Sequence, residues 1–344
     1  MIRVDGSKRS GSGTIVRYSV SLSALLGEEL HLTNIRAKRD KPGLRPQHLK
    51  AIEACAEISG GEVVGGKVGS SEIKFKPGPG IKGGDYKWDI GTAGSTTMLL
   101  MTILPIAIFS ENSSSFVIKG GLFQDFAPSA FHMKYVLFPT LRKMGIEADL
   151  EIIRPGYVPR GEGIIRAYVK PVRGKIKPLR LCEQGDIERI WGISLSSHLE
   201  ERKVSHRMAR EARRVLERYG FSAEIELLYD KEALQEGASL FLSAETSTGC
   251  VIGSDMAGRP GRPSEEIGRK VAQNLIEDIE EGATVDRFLM DQIVLYCALA
   301  DGESVYRIPF ITEHLETNLW LVEEILGAKW NIDGKEVRIE GVGR

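Results

Sequence analysis

Pro46-Gln-His-Leu-Lys-Ala-Ile-Glu-Ala-Cys-Ala-Glu-Ile-Ser-Gly-Gly-Glu-Val-Val64 reads as one module. Leu49, Ile52, Cys55 and Ile58 recur at helical spacing, so Pro46 to Ser59 is expected to be a helix with one apolar stripe. Gly60-Gly61 stops it, because the position after a helix favours positive φ, which glycine adopts freely. Glu62-Val-Val64 then leads out as a strand. The pattern recurs. Ser129 to Met144 carries Met133, Leu137, Leu141 and Met144 on one face, Gly145 caps it, and Ile146 to Ile152 alternates like a half-buried strand. Ser205 to Tyr219 carries Met208, Ala212, Val215 and Tyr219, then Gly220 and a strand from Ala223. In each copy the period changes from near 3.6 to 2 across the glycine.

Outward from these modules, Ser264 to Glu280 predicts a helix with Ile267, Val271, Leu275 and Ile279 inward. Another begins near Val285 and runs through Phe288 to Leu299. A last helix covers about Leu315 to Leu326, ends at Gly327, and is followed by a hairpin turning on Asp333-Gly334. Helices alternating with strands predict an α/β (α+β) fold, with helices covering one sheet face. Composition shifts near Lys175–Pro178 and near Glu280–Ala283. These shifts divide the chain into a discontinuous large domain, 1–180 with 283–344, and a smaller inserted α/β domain, 181–282.

The 344 residues include 42% hydrophobic and 27% charged side chains, which excludes a disordered or fibrous chain. Net charge is −1, so nucleic-acid binding must come from a local basic cluster. Cys55, Cys182, Cys250 and Cys297 are widely spaced, which argues against a disulfide scaffold or a cysteine zinc site. The N-terminus lacks a signal-peptide core, and the longest apolar run, Met98 to Phe109, is too short to span a bilayer. The expectation is a cytoplasmic protein with no membrane partner.

Four stretches could carry chemistry. Arg36-Ala-Lys-Arg-Asp-Lys-Pro-Gly-Leu-Arg-Pro-Gln-His48 packs five cations and a histidine against one Asp beside a helix start. It is either an anion site or a solvated charged loop. Asp89-Ile-Gly-Thr-Ala-Gly-Ser-Thr-Thr97 is either a backbone cradle or an ordinary helix cap. Asp291 with Gln292 sits on an apolar helix, where a carboxylate either faces water or lines a site. His314 opens the last helix, where the positive helix end favours a neutral, nucleophilic imidazole.

Taken together, these blocks resemble the RNA 3′-terminal phosphate cyclase family over nearly the whole chain and in the same order. The resemblance rests on Asp5-Gly6, Gly11, Gly13 and Arg17, and on Arg36 through Leu49. It continues with Gly69-Ser70, Phe75-Lys-Pro-Gly78, Gly83-Gly-Asp-Tyr86, Ile90 to Ser95, and Gly120-Gly121 with Ala127-Pro128. Asp291-Gln292 and His314-Leu-Glu-Thr-Asn318 complete it. The family fold is a large domain of repeated helix–sheet units with a small inserted domain. The implied activity is a ligase-type reaction in which ATP, with Mg or Mn, converts an RNA 3′-phosphate end to a 2′,3′-cyclic phosphate through a histidine-AMP intermediate. RNA 3′-phosphate ends are the implied partner, and a homo-oligomer is left open. By this resemblance His314 is the nucleophile, and Phe288 and Pro128 hold the two faces of adenine. Asp291 orients the histidine or nucleotide, with Gln292 beside it, and Gln47 binds a nucleotide group. Arg17, Arg36, Arg39 and His48 take phosphates of ATP or the RNA end.

Three positions depart from the family pattern. Ser10 and Thr14 stand where a metal-binding glutamate and a glutamine are usual, and Met101 stands at another usual glutamine. The metal ligands are therefore unassigned. The alternative reading is a catalytically altered or inactive cyclase-like protein that binds RNA or serves in assembly.

Overall fold

The structure, a computed structural model, describes residues 1–344. It contains four four-stranded sheets, three of which share one plan. In the first unit, strands Ile2–Asp5 and Leu30–Thr33 are parallel, with helix Gly13–Leu26 crossing between them. A parallel pair needs such a crossover, because a tight turn can only reverse the chain. Helix Pro46–Ser59 follows, and strands Glu62–Val64 and Ile73–Lys76 close the sheet as an antiparallel pair with the later strand inside.

The second unit repeats this order with strands Asp85–Asp89, Ser114–Gly120, Ala148–Arg154 and Gly163–Val169. Its first helix is Thr96–Ala107, and its second runs over 130–143 with a π turn at Met133–Leu137. The third unit has strands Arg180–Leu181, Glu303–Arg307, Lys329–Asp333 and Glu336–Glu340, with helix Glu313–Leu326 as its second helix. Its first strand is two residues long, and it pairs with Val305-Tyr306 only after 182–282 has intervened.

The recurring helix–glycine–strand module therefore has a structural meaning. Pro46–Ser59, the 130–143 helix and Glu313–Leu326 occupy the same place in three β-α-β-α-β-β units. Val204–Arg218 belongs to a different arrangement. There, strands Glu224–Asp230, Ile187–Ser197, Gly237–Thr246 and Val251–Ala257 lie side by side in that order. Helices Val204–Arg218 and Ser264–Glu280 cover one face of that sheet, in a core of 19 buried residues between Ile190 and Ile279. The other face alternates: Ile193, Leu195 and Phe241 belong to the main core of 77 buried residues. The period-two switch of side chains across the sheet lets one strand serve two cores.

Helix Thr96–Ala107 is the deepest element of the second unit. Leu99, Leu100, Ile103, Leu104 and Ile106 are all at most 1% exposed. Burial of each such side chain contributes about 1.5–3 kcal/mol, enough to offset the hydrogen bond that Pro105 cannot donate.

Three expectations are corrected. The helix foreseen as continuous from near Val285 to Leu299 is two short helices, Leu289–Gln292 and Val294–Leu299. Side chains take carbonyls at the break: the Tyr306 hydroxyl donates to Met290 O at 3.1 Å and Asn318 Nδ2 to Asp291 O at 2.8 Å. Tyr219, placed on the inward stripe of its helix, is exposed, because the helix ends at Arg218. The strand foreseen at 146–152 runs over Ala148–Arg154, since Ile146 N donates back to Leu141 O and belongs to the helix end.

Candidate active site

The site grows from the ends of elements in the first and third units. After strand Leu30–Thr33 the chain makes the basic loop of residues 36–45, then enters helix Pro46–Ser59. Arg36 folds the loop on itself, donating from Nη1 to the carbonyls of Lys41 at 2.7 Å and Gly43 at 2.9 Å. His48 lies in the first turn, where its Nδ1 accepts the Arg45 N–H at 3.2 Å. The ring is 2% exposed. Burial first, then Arg17, Arg36 and Arg45, push its pKa down to about 3, so it is neutral.

Gly13 makes this packing feasible. A Cβ there would overlap the His48 ring and crowd the Arg17 guanidinium. Arg17, one turn into helix Gly13–Leu26, is buried and donates to Thr14 Oγ1 at 3.2 Å. Burial lowers its pKa, and nearby Asp291 opposes that shift.

His314 enters from the third unit. Thr312 caps helix Glu313–Leu326 by accepting the Leu315 N–H at 3.2 Å, which sets His314 in the first turn. The imidazole keeps an open face to solvent. Its pKa lies below the ordinary value, first through desolvation and then through the charges of Arg17 and Arg39. The same helix is tied to the first glycine-rich loop. Thr317 Oγ1 donates to Ser10 Oγ at 3.0 Å, Ser10 N donates to Thr317 Oγ1 at 3.2 Å, and Ser10 Oγ reaches Ser12 Oγ at 2.9 Å.

Asp291 is half-buried at the start of the broken helix. Burial and the neighbouring Asp286 carboxylate raise its pKa to about 7, against the pull of Arg17. The fold thus gathers Arg17, Arg36, Arg39, His48, Asp291 and His314 around one buried guanidinium.

The remaining expected residues sit in a second cluster. Gln47 Oε1 accepts the Ser95 N–H at 3.3 Å, so the basic loop's helix touches the 89–97 turn. Thr97 Oγ1 donates to Pro128 O at 2.7 Å. Phe288 meets the His132 ring edge-on with centroids 5.8 Å apart. Gln292 is 2% exposed and neither of its amide atoms has a partner. Met101 is 8% exposed and belongs to the main core.

The sequence reading missed the groups that hold this cluster. Asp286 is fully buried and accepts the N–H groups of Gly253, Phe288 and Leu289, each at 2.8 Å, and contacts His132 Nε2 at 3.1 Å. Burial disfavours the charge on His132, but Asp286 outweighs it and raises the pKa. Asp255 Oδ2 accepts the Ser129 N–H at 3.2 Å, beside Pro128. These residues lie on separate strands and turns, with no local pattern to mark them.

No three His, Cys, Asp or Glu side chains converge anywhere in the chain, and Ser10 and Thr14 offer neutral hydroxyls. The side chains present do not fit a protein-built cage for a divalent ion.

The profile of the RNA 3′-terminal phosphate cyclase family matches residues 8–332. The chain belongs to that family. Among curated relatives, the RNA 3′-terminal phosphate cyclase of Methanopyrus kandleri is 40% identical over 341 residues, covering 98% of this chain and 96% of that protein. The cyclase of Pyrobaculum neutrophilum is 37% identical over 346 residues, covering 99% of each. That of Pyrococcus furiosus is 39% identical over 335 residues, covering 97% and 96%. The cyclase-family relationship thus spans all three units and the intervening segment, so it does not rest on the histidine block alone. No helix is long and apolar enough to cross a membrane.

Proposed function

We propose that this chain uses ATP to convert an RNA 3′-terminal phosphate to a 2′,3′-cyclic phosphate. The observation that carries this is the placement of His314: a first-turn imidazole, kept neutral by its surroundings, beside the guanidiniums of Arg17 and Arg39. A neutral imidazole nitrogen attacks the ATP α-phosphorus, forming a P–N bond as the bond to pyrophosphate breaks. An oxygen of the RNA 3′-phosphate then displaces the imidazole and takes the AMP. The 2′-hydroxyl attacks the 3′-phosphorus, loses its proton and expels AMP. Adenylylation is needed because a phosphate monoester lacks a good leaving group.

In this reading Arg17, Arg36 and Arg39 stabilise the charge of the phosphates, with neutral His48 as a donor or acceptor beside them. Phe288 and Pro128 clamp adenine, each held from behind by a buried carboxylate. Asp291 answers to the protonation of the site. Mg or Mn, when ATP brings it, is held by phosphate oxygens. Residues 181–282 form an inserted unit on the third repeat, supported by the separate 19-residue core. Its first boundary falls inside a strand, since Leu181 pairs with Tyr306.

The test is incubation with labelled ATP and Mg or Mn, followed by acid and alkali treatment. The expected result is an acid-labile, alkali-stable adduct that His314→Ala lowers by more than about a thousandfold. No adduct with either metal would favour the reading as an RNA-binding or assembly protein, which Ser10, Thr14 and Met101 motivate.

A further inference from the structure

A cleft of about 710 Å³ opens between the second unit and the segment 182–282, and none of His314, Arg17, His48 or Asp291 lines it. Five arginines do: Arg160 from the second unit, and Arg202, Arg207, Arg259 and Arg262 from the intervening segment. Their charges are incompletely matched. Glu265 holds Arg207 at 2.7 and 2.8 Å, and Asp125 holds Arg262 through two 2.9 Å bonds. Arg259 reaches that same Asp125 only at 3.4 Å, and Arg202 reaches Glu236 at 3.4 Å. The Arg160 guanidinium meets only the Leu234 carbonyl, at 3.2 Å. Three carboxylates face five guanidiniums, so positive charge is left over at Arg160 and at the Arg259–Arg262 pair.

Beside this charge stands a ring that folding does not use. Phe126 follows Asp125, is 100% exposed, and has φ of 65°, a conformation that L side chains rarely adopt. Its chain position joins two places. Asp125 is anchored to the cleft arginines, and Pro128 is anchored to Thr97 in the candidate site. Two residues of chain span at most about 7.6 Å, so the ring stands between cleft and site. An apolar ring pushed fully into water at a strained residue makes no contribution to the core, whereas a flat exposed aromatic beside unpaired arginines is what an unstacked base and its phosphates require.

We propose that the cleft and Phe126 bind the single-stranded body of the RNA whose 3′ end enters the candidate site. The inference rests on the RNA-end reading above. The surplus arginines take backbone phosphates, and Phe126 stacks on a base just upstream of the terminal nucleotide. A duplex does not offer that base face, so single-stranded ends are the ligand.

The test compares equilibrium binding of a 3′-phosphorylated oligoribonucleotide of about twelve nucleotides with that of a dinucleotide 3′-phosphate. The proteins are wild type, Phe126→Ala, Phe126→Trp, and Arg160→Ala combined with Arg259→Ala, all exposed positions. The longer RNA should bind Phe126→Ala about tenfold more weakly, with recovery in Phe126→Trp, while the dinucleotide is unaffected. The arginine pair should lower the salt dependence of the longer RNA by roughly one unit of log–log slope. Unchanged binding of the longer RNA in all variants, equal losses at both lengths, no RNA binding by wild type, or displacement by polyglutamate as readily as by RNA would each overturn it. Adenylylation by ATP without RNA, measured alongside, keeps the two readings apart. An adduct with no length-dependent loss sinks only the cleft, and a length-dependent loss without an adduct sinks only the chemistry.

Discussion

His314 and His48 show how one charge cluster gives two imidazoles different work. His48 is enclosed, and its pKa falls to about 3, so it stays neutral throughout the working range. His314 faces solvent, and its pKa is only moved below the ordinary 6.5. The sign follows directly. The nucleophile is the neutral form, so adenylylation should be flat with pH above 6.5 and fall only at lower pH, where the ring protonates. Removing a positive neighbour relaxes the shift, so Arg39→Ala should move that acid limb upward. A single-turnover pH profile of adduct formation checks this. Asp291 titrates near pH 7, but Arg39 is not among the charges that act on it, so a limb that ignores Arg39→Ala would belong to Asp291 and not to the histidine.

Helix Glu313–Leu326 carries the nucleophile on its first turn, which makes its cap a functional element. The Thr312 hydroxyl satisfies the Leu315 N–H, and Thr317 links the turn to the Ser10 loop. Thr312→Ala should cost about 1 kcal/mol in unfolding free energy and slow adduct formation more than that loss alone explains, because the frayed turn no longer holds the ring. Thr312→Ser should restore both. Thermal unfolding and adduct rates on the three proteins decide it. The helix itself was legible from its apolar spacing and Gly327. The break at Ile293 was not, because it arises where Tyr306 and Asn318, distant in sequence, take the helix's carbonyls.

Across the whole molecule, the segment 182–282 is fastened where it leaves and returns. Gln184 Nε2 donates to Ile279 O at 3.2 Å and Ala283 O at 2.7 Å, so the two crossings lie together. Arg287 locks the return by gripping Asp278 at 2.8 Å, along with Asn274 and Glu277. Asp278 is fully buried, and burial raises its pKa to about 6 despite that partner. Arg287→Met would strand the carboxylate and should destabilise the protein by about 3–5 kcal/mol, read as a lower denaturant midpoint. Adding Asp278→Asn should recover part of the loss, since the uncompensated charge is then gone.

The sequence alone determined what short-range forces control. Helix periodicity, glycine stops and strand alternation are written within a dozen residues, so Pro46–Ser59 and Ser264–Glu280 were read to the residue. The likeness of the motif blocks likewise lies in local strings. Tertiary structure decided what depends on chain closure. Arg180–Leu181 has no period to read, and only its pairing with Val305-Tyr306 shows that a third unit is split. Nothing in the spacing of Arg17, His48, Asp291 and His314 says that they share one field, or that Asp286 anchors Phe288 from beneath. Coulomb forces and desolvation act through space, and the distances they need exist only once the units have packed.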